Sequence, residues 1–233
     1  EMQKELDALK AKERASEAEL EAMRRVLAVD MIPEVMRRCQ IENEELCFEP
    51  RKRLGAGTYG EVWLASYHGT PVAVKKLHRN RLDEANLTAF RAECELHLSL
   101  RHPNILQLIG GSWTLEDINV CVVLEYCEHG DLYRLIERRK ARGRYFREQD
   151  VWRMFLQICA GVEQMHRHSI VHRDLKTLNI FVARDGTVKV GDLGVGRLVG
   201  ANTQFLNTFY GTPLYASPEL CSNKPYNEKT DIW

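Results

Sequence analysis

The 233-residue sequence has no long apolar run and no excess of charge of either sign. Its apolar stretches fall well short of the roughly 20 residues that a membrane-spanning helix needs, and its N-terminus lacks the apolar core of a signal peptide. Basic and acidic residues number 33 each, so no overall field attracts nucleic acid or an anionic membrane. We therefore expect neither a membrane nor a nucleic-acid partner.

Paired cysteines are missing as well. The seven cysteines are scattered, and none forms the Cys-x-x-Cys spacing of common zinc and redox sites. An odd number of separate cysteines favours reduced thiols, which are typical of intracellular proteins. We expect a cytoplasmic protein, and the sequence leaves a nuclear location open.

Residues 1–29 contain no glycine and no proline and are rich in Glu, Ala, Lys and Arg. Their apolar residues follow one heptad seam, at Met2, Leu6, Leu9, Leu20, Met23 and Leu27. The spacing predicts an amphipathic helix that could bind a partner or a second copy, although the polar seam residues Glu13 and Ser16 weaken a coiled coil. Pro33 marks a boundary, and residues 30–47 are predicted to be a linker.

Hydrophobic periodicity predicts an α+β domain after the linker. Strands are expected between Phe48 and Leu77, with a turn at His68-Gly69, and again at Ile105–Ile109 and Val120–Leu124. The spacing between about Asp83 and Leu100 is helical. A second helical face comprises Val151, Met154, Phe155, Ile158, Cys159, Val162 and Met165. The pattern therefore predicts a five-stranded sheet with one helix, followed by a mainly helical part.

The run His172-Arg173-Asp174-Leu175-Lys176-Thr177-Leu178-Asn179, with Asp192 farther on, contains the residues of a phosphoryl-transfer centre. Asp174 can accept the proton of an attacking hydroxyl, and Lys176 can neutralise a γ-phosphate. Asn179 and Asp192 can hold the Mg²⁺ ions that bridge the phosphates. A charged surface loop would not require this ordered set, so the run predicts phosphate transfer that depends on ATP and Mg²⁺.

A glycine-rich segment, Gly55-Ala56-Gly57-Thr58-Tyr59-Gly60-Glu61-Val62, fits the pattern G-x-G-x-x-G-x-V. Glycines at these places let a strand-turn-strand backbone bring its N–H groups close to phosphates. A dinucleotide-binding fold would need a helix after the glycines, where a strand is predicted here. A P-loop would need Gly-Lys followed by Ser or Thr, which this segment lacks.

Together these motifs resemble the eukaryotic protein kinases over about residues 48–233. The resemblance implies a two-lobed kinase-like α+β fold, with a five-stranded antiparallel N-lobe with one helix (about 48–125) and a mainly helical, incomplete C-lobe (about 126–233). The larger lobe is similar to the NIMA-related Ser/Thr kinases, through Gly191-Asp192-Leu193-Gly194 and the segment 211–220. The smaller lobe is similar to the tyrosine-kinase-like group of Ser/Thr kinases, through residues 90–93 and the segment 102–111.

The resemblance also implies a nucleotide site. Lys75 is similar to the lysine that holds the α- and β-phosphates, and Glu93 to its helix partner, with Glu95 as the nearby alternative. Lys76 fits the motif register less well. The remaining adenine and loop positions implied by the resemblance are Leu54, Val62, Ala73, the gatekeeper Leu124, the hinge residues Glu125 and Cys127, and Phe181.

The segment from Asp192 to Ser217-Pro218-Glu219 resembles a kinase activation segment. Lys176 and the threonine of Gly211-Thr212-Pro213 are typical of Ser/Thr kinases, in which Thr212 would shape the floor for the substrate residue. Because Arg173 precedes Asp174, we expect regulation by a phosphate in this segment, with Thr208 as the acceptor. Thr203 and Tyr210 lie nearby, so an unmodified Thr208 stays an alternative. Asp231 resembles the aspartate that supports the backbone of the His-Arg-Asp motif.

Three functions remain open at this stage. The first is a protein kinase that transfers the γ-phosphate of ATP to Ser or Thr of protein substrates. The second is a nucleotide-binding pseudokinase or scaffold, which has no chemical need for five intact catalytic residues. The third is an interaction fragment, because the sequence stops where kinases begin their central C-lobe helix; we expect the piece alone to be poorly folded or inactive.

Overall fold

A computed structural model describes residues 39–57, 60–77, 94–95, 97–114, 119–191, 197–198 and 213–233. The chain divides into two compact units, unit 1 with residues 1–95 and 109–124, and unit 2 with residues 96–108 and 125–233. The helix predicted within residues 1–29 lies outside the described residues, as does most of the helix predicted from Asp83. Residues 94–95 and 97–99 are helical. In the part of the chain that is described, no helix is long and apolar enough to cross a membrane.

Unit 1 is built on a five-stranded sheet, as the sequence predicts. Its strands are β1 (Leu46–Gly57), β2 (Gly60–Tyr67), β3 (Thr70–Leu77), β4 (Leu108–Thr114) and β5 (Asn119–Glu125), in the order β1-β2-β3-β5-β4. His68 and Gly69 join β2 to β3, and both have positive φ angles (47° and 79°), as the two-residue turns of twisted hairpins require. The predicted turn is confirmed.

The core of unit 1 begins earlier in the chain than predicted. Ile41 is buried together with β-sheet residues such as Val72 and Val74. The backbone of Ile41 donates to the carbonyl of Gly111 at 2.9 Å. A Cβ at Gly110 would lie 2.3 Å from the Cys39 carbonyl oxygen, so glycine permits this close approach. Residues from at least Cys39 are therefore packed, whereas the sequence predicted a linker up to residue 47.

Unit 2 combines helices with short strands. Among its described residues from 125 onward, the α-helices are α1 (Leu132–Lys140), α2 (Glu148–Arg167) and α3 (Pro218–Cys221). The strands β6 (Gly130–Asp131), β8 (Ile180–Val182) and β9 (Val188–Val190) form one sheet, and β7 (Ile170–Val171) pairs with β10 (Arg197–Leu198). Asp131 caps α1 by accepting from the Arg134 backbone N–H at 2.7 Å. The predicted α+β class is confirmed.

Helix α2 has the predicted period, but only part of the predicted face is buried. Val162 and Met165 belong to the core of unit 2, and Met154 and Ile158 pack against it. Three other members of the predicted face, Val151, Phe155 and Cys159, are exposed. Periodicity therefore identified the helix correctly, but the burial of its individual residues depends on the neighbouring β7 and β9.

The strand predicted at Ile105–Ile109 is wrong in position. The strand runs from Leu108 to Thr114, and Ile105 forms an isolated parallel bridge with Val190. The Leu106 N–H donates to the Val190 carbonyl at 2.8 Å, and the Val190 N–H donates to the Asn104 carbonyl at 2.9 Å. These bonds place residues 96–108 in unit 2, although the sequence assigned them to the smaller lobe.

Candidate active site

The run His172–Asn179 lies between β7 and β8, two buried strands that fix both of its ends. A short 3₁₀ helix, Thr177–Asn179, closes the run and leads directly into β8. The functional side chains of the loop are buried: His172, Arg173, Asp174 and Asn179. Buried polar groups need partners, so the hydrogen bonds of this loop determine its geometry.

The Asp174 carboxylate is held by two side chains from its own loop. Lys176 Nζ contacts Asp174 Oδ2 at 2.6 Å, and Asn179 Nδ2 donates to the same oxygen at 3.1 Å. Asn179 Nδ2 also donates to the Asp174 carbonyl at 2.9 Å. The structure therefore brings together the predicted proton acceptor, the predicted phosphate-neutralising cation and one predicted metal ligand.

The His172 ring is hydrogen-bonded to the backbone of Asp174. Its Nδ1 accepts from the Asp174 backbone N–H at 3.2 Å, so its Nε2 carries the hydrogen and donates to the Gly191 carbonyl at 3.0 Å. The ring is fully buried. His172 thus links the Asp174 backbone to the residue that precedes the predicted metal ligand Asp192.

Asp231 holds the backbone of the loop from far along the chain, as the resemblance implied. Its Oδ1 accepts from the Arg173 N–H at 2.7 Å, and its Oδ2 accepts from the His172 N–H at 2.8 Å. Arg173 has a φ of 67°, a left-handed conformation that is costly for a residue with a side chain. The His166 ring lies 2.8 Å from Asp231 Oδ2. His166 was not predicted, since its only signal in the sequence is its place in the last turn of α2 beside the buried Met165.

Arg173 carries a buried cation whose hydrogen bonds are incomplete. Its Nη1 donates to the Tyr226 hydroxyl at 2.8 Å. Its Nε is buried and has no hydrogen-bond partner. Among the described residues, every other buried side-chain nitrogen or oxygen has a partner. Such a group favours a nearby anion. Tyr226 was not predicted, and no local pattern connects it to Arg173.

Gly191 is required by the packing of Phe181. A Cβ at Gly191 would lie 2.8 Å from two carbon atoms of the Phe181 ring and 3.0 Å from Leu106 Cδ2. The Gly191 N–H donates to the Asn179 carbonyl at 2.9 Å. Phe181, a predicted adenine contact, is thereby fixed beside the start of the predicted activation segment.

A second network holds the segment that resembles the end of the activation segment. Ser217 is fully buried, and its hydroxyl lies 2.7 Å from that of Thr230, which donates to Glu219 Oε1 at 2.8 Å. The pKa of Glu219 lies below its ordinary value, first because its carboxylate accepts from its own backbone N–H and then because of the Thr230 hydroxyl. Sequence reasoning placed Ser217 and Glu219 but missed Thr230.

In unit 1, several predicted nucleotide residues share one face of the sheet. Val62 lies opposite Lys75 and Gly55 in the register, and Ala73 is two residues before Lys75. Residues that are directly opposite or two apart point to the same face of a sheet. Lys76 points to the other face, where its Nζ lies 3.9 Å from the centre of the Phe48 ring. The register therefore favours Lys75 over Lys76 as the nucleotide lysine.

The hairpin of the glycine-rich segment is tight at Gly60. A Cβ there would lie 1.9 Å from the Lys76 carbonyl oxygen, so no other residue fits this backbone. Leu54 and Gly55 are half-buried and Ala56 is exposed. The structure does not describe Thr58 and Tyr59 at the tip.

The predicted hinge residues lie near the end of β5. Leu124 is half-buried, and Cys127 is buried. Glu125 is well held in unit 2, since its backbone N–H donates to the Gln107 carbonyl at 3.0 Å and its Oε2 contacts Lys189 Nζ at 3.0 Å. These contacts fix the backbone at the position where adenine recognition was predicted.

Four further predicted site residues lie outside the described residues: Glu93, Asp192, Thr208 and Thr212. The Lys75–Glu93 pair, the second metal ligand and the roles of the two activation-segment threonines therefore stay predictions.

The donor chemistry of the loop fits a magnesium ion. Mg²⁺ prefers oxygen ligands and is usually held by one or two protein groups together with substrate phosphates. Asn179 uses its amide nitrogen on Asp174, which leaves its amide oxygen as the atom suited to a metal. Within the described ranges no cluster of three His, Cys, Asp or Glu side chains occurs that could hold a metal ion.

Comparison with known proteins agrees with this geometry. A sequence model described as the protein kinase domain matches residues 48–233. The chain is 40% identical over 182 residues to the serine/threonine-protein kinase Nek4 of Mus musculus, which is 77% of this chain and 23% of that protein. It is 36% identical to Nek1 of Mus musculus over 78% of this chain and 15% of that protein. It is 34% identical to Nek2 of Homo sapiens over 80% of this chain and 43% of that protein.

The chain thus spans less than half the length of each of these relatives. Because their names are those of Nek kinases, the predicted likeness to NIMA-related kinases is confirmed. The chain belongs to the protein kinase domain family.

Proposed function

We propose that this chain is the phosphoryl-transfer part of a protein serine/threonine kinase. The observation that carries the proposal is the position of Asp174 Oδ2, which lies 2.6 Å from Lys176 Nζ and 3.1 Å from Asn179 Nδ2. A structural ion pair would need only the lysine. The orientation of the Asp174 carboxylate also depends on the Asn179 amide, the buried His172 ring and the strained backbone at Arg173. Such fixed orientation is what a transfer reaction requires.

The reaction assigns a separate task to each group. A substrate hydroxyl oxygen forms a bond to the γ-phosphorus of ATP, the bond from that phosphorus to the bridging oxygen breaks, and ADP leaves. Asp174 accepts the hydroxyl proton. Lys176 stabilises the charge on the phosphate oxygens because its Nζ already lies beside Asp174. In this reaction little covalent chemistry falls to the protein, so positioning is the main contribution.

Binding of ATP and Mg²⁺ is part of the proposal. Asn179 and Asp192 would hold Mg²⁺, which when bound neutralises phosphate charge. Lys75 would bind the α- and β-phosphates with Glu93 as its partner. Support for the nucleotide site comes from the shared sheet face of Val62 and Lys75 and from the steric need for glycine at Gly60.

Regulation and substrate choice complete the proposal. The buried Nε of Arg173 without a partner supports a phosphate on Thr208, which would supply the missing acceptor. Mass spectrometry after incubation with ATP would detect that phosphate, and full activity of Thr208→Ala would exclude this role. Thr212 would shape the site for Ser or Thr, and residues 1–29 would contribute a helix for a partner or a second copy.

The test compares the full-length protein with its Asp174→Asn variant. We expect transfer of labelled phosphate from ATP with Mg²⁺ to generic Ser or Thr peptides, and a loss of about 10²–10⁴-fold in the variant, the usual range for a lost general base. Asparagine keeps the shape and one acceptor, so the variant should melt at nearly the same temperature.

The alternatives give different results in the same assay. Transfer to tyrosine peptides alone would exclude the Ser/Thr class. Stabilisation by ATP without any transfer, even after phosphorylation of the activation segment, would favour the pseudokinase or scaffold.

A further inference from the structure

A strongly basic run ends helix α1. Residues 138–144 contain five basic residues and no acidic one, in a chain whose formal charge is zero. Three of them, Arg138, Arg139 and Lys140, form the last turn of the helix, and Arg142 and Arg144 follow in the turn beyond it.

A cavity of about 350 Å³ opens at this end of α1. Its lining consists of His129, Leu135, Arg138, Arg139, Arg142 and Arg144. Four of these six side chains are guanidinium groups. None of them belongs to the His172–Asn179 loop, so this is a separate site within unit 2.

The backbone that carries the outer arginines is fixed. Gly143 has a φ of 62° and donates to the Lys140 carbonyl at 2.9 Å, and the Arg144 N–H donates to the Arg139 carbonyl at 2.9 Å. This pair of bonds is the Schellman arrangement that ends many helices. The turn therefore holds Arg142 and Arg144 at defined places on the rim of the cavity.

Two of the four arginines have local structural roles. Arg138 donates to the His129 carbonyl at 2.5 Å. Arg139 lies over the Phe146 ring, 4.1 Å from its centre, and donates to the Tyr145 carbonyl at 3.5 Å. These contacts fix two guanidinium groups on the cavity wall.

Arg142 and Arg144 have no such role. Both are exposed, and neither side chain forms an ion pair or hydrogen bond with any residue that the structure describes. A nearby carboxylate, Asp150, is already held by Arg147 through bonds of 2.9 and 3.2 Å. Attraction to the negative end of the helix accounts for cations in the last turn, but that effect fades beyond it. The repulsion among the four like charges favours an anionic ligand.

We propose that this arginine cavity binds acidic side chains in a peptide segment of the protein substrate, a proposal that rests on the kinase function proposed above. Guanidinium groups match carboxylates in planar, two-bond pairs. Helix α1 packs against the 3₁₀ helix Thr177–Asn179 of the catalytic loop. A substrate docked here would therefore be held in the same unit as Asp174, which raises its effective concentration. The zero formal charge of the chain argues for a short acidic segment rather than a nucleic acid.

A binding experiment tests the site without using enzyme activity. The probe is a short fluorescein-labelled peptide with glutamate at every second position among glycine and serine, and its control has glutamine instead. Fluorescence anisotropy is measured for the protein, for Arg142→Gln/Arg144→Gln, and for the matched control Arg51→Gln/Arg101→Gln, whose arginines are exposed and do not line the cavity. We expect the first variant to bind the acidic peptide about tenfold more weakly, as the loss of two charge pairs implies, and the control to bind unchanged.

Several outcomes would overturn the proposal. Equal weakening in both double variants would mean a nonspecific charge effect, and equal binding of the glutamine peptide would mean that charge is not recognised. Tighter binding of a labelled single-stranded oligonucleotide, lost in the same variant, would assign the cavity to nucleic acid instead. An affinity that stayed the same when the salt concentration was raised from low to physiological would also contradict an ionic site.

A kinetic arm separates this proposal from the kinase function. With an acidic peptide that carries a serine acceptor, the double variant should raise KM about tenfold and leave kcat unchanged, because the cavity acts before the transfer step. If no phosphate is transferred but the acidic peptide still binds through Arg142 and Arg144, the proposed function fails and the docking site stands. If transfer occurs with an unchanged KM, the docking proposal fails alone.

Discussion

A single carboxylate, Asp231, stabilises the least favourable backbone conformation in the catalytic loop. Its two oxygens accept from two consecutive N–H groups, those of His172 and Arg173, and its side chain is almost fully buried. A residue such as Arg173 with positive φ persists only where its surroundings hold it in place. The position of Asp174, the next residue, therefore depends on a side chain outside the loop.

We predict that Asp231→Ala lowers the free energy of unfolding by about 2–5 kcal/mol, because it leaves buried donors unsatisfied and removes the support of a strained residue. Urea denaturation measures the change. Glu228→Ala, in the same short helix but at a partly exposed acid, is the matched control and should change stability by no more than about 0.5 kcal/mol.

Asp231→Asn refines this test. Asparagine keeps one acceptor oxygen and replaces the other with a donor, so one of the two loop N–H groups loses its partner. We expect an intermediate loss of stability and a larger loss of kcat than of substrate affinity, because Asp174 would be misplaced. Unchanged kcat in a folded Asp231→Asn protein would show that the support of the loop is not needed for transfer.

At the scale of the secondary structure elements, the contact of α2 with the chain segment before β4 depends on one glycine. A Cβ at Gly161 would lie 2.5 Å from the Asn104 carbonyl oxygen and 3.2 Å from Val190 Cγ2. The same carbonyl accepts the Val190 N–H at 2.9 Å. The helix therefore packs closely only because residue 161 has no side chain.

We predict that Gly161→Ala destabilises the protein by about 1–3 kcal/mol, the usual cost of overpacking. Helix propensity alone predicts the opposite sign, since alanine is favoured over glycine in helices by about 1 kcal/mol. The midpoint of urea unfolding decides between the two effects. Gln149→Ala, at an exposed position of the same helix, is the control; a more stable Gly161→Ala protein would contradict the close packing.

At the scale of the whole molecule, each unit contains a buried thiol that reports on its integrity. Cys121 lies in the core of unit 1, where burial raises the pKa of its thiol to about 11. Cys127 lies in unit 2, where burial and then the charge of Glu125 raise the pKa to about 12. None of the seven cysteines is in a disulfide.

We predict that Cys121 and Cys127 react at least about 100-fold more slowly with iodoacetamide near neutral pH than the exposed Cys47, Cys159 and Cys221. The thiolate is the reactive form, and a raised pKa reduces its fraction below that of an ordinary thiol with a pKa of about 8.5. Mass spectrometry of tryptic peptides measures each rate. In denaturing guanidinium chloride all five should react alike; fast labelling of Cys121 in the native protein would mean that the core of unit 1 opens.

The likeness of the smaller lobe to the tyrosine-kinase-like group stays a prediction, since the relatives reported above are Nek kinases. The likeness to NIMA-related kinases is confirmed. The two lobes of a kinase sequence need not give equally clear signals, because their elements differ in length and in the number of motifs they carry.

The sequence by itself determined what depends on residues close along the chain. Asp174, Lys176 and Asn179 lie within six residues, so their contacts follow from one short loop, and the β2–β3 hairpin follows from a two-residue turn with glycine. The period of α2 was likewise readable, because helical periodicity is a local property.

Tertiary structure alone decided the rest. Tyr226 and Arg173 are 53 residues apart, and His166 and Asp231 are 65 apart, so no local pattern brings them together. Packing against β9 placed Ile105 in an isolated bridge rather than in a strand. Packing also determined which residues of the predicted α2 face are buried. The physical reason is that hydrogen-bond partners and burial depend on which distant segments meet, whereas propensity and periodicity report only on neighbours in the chain.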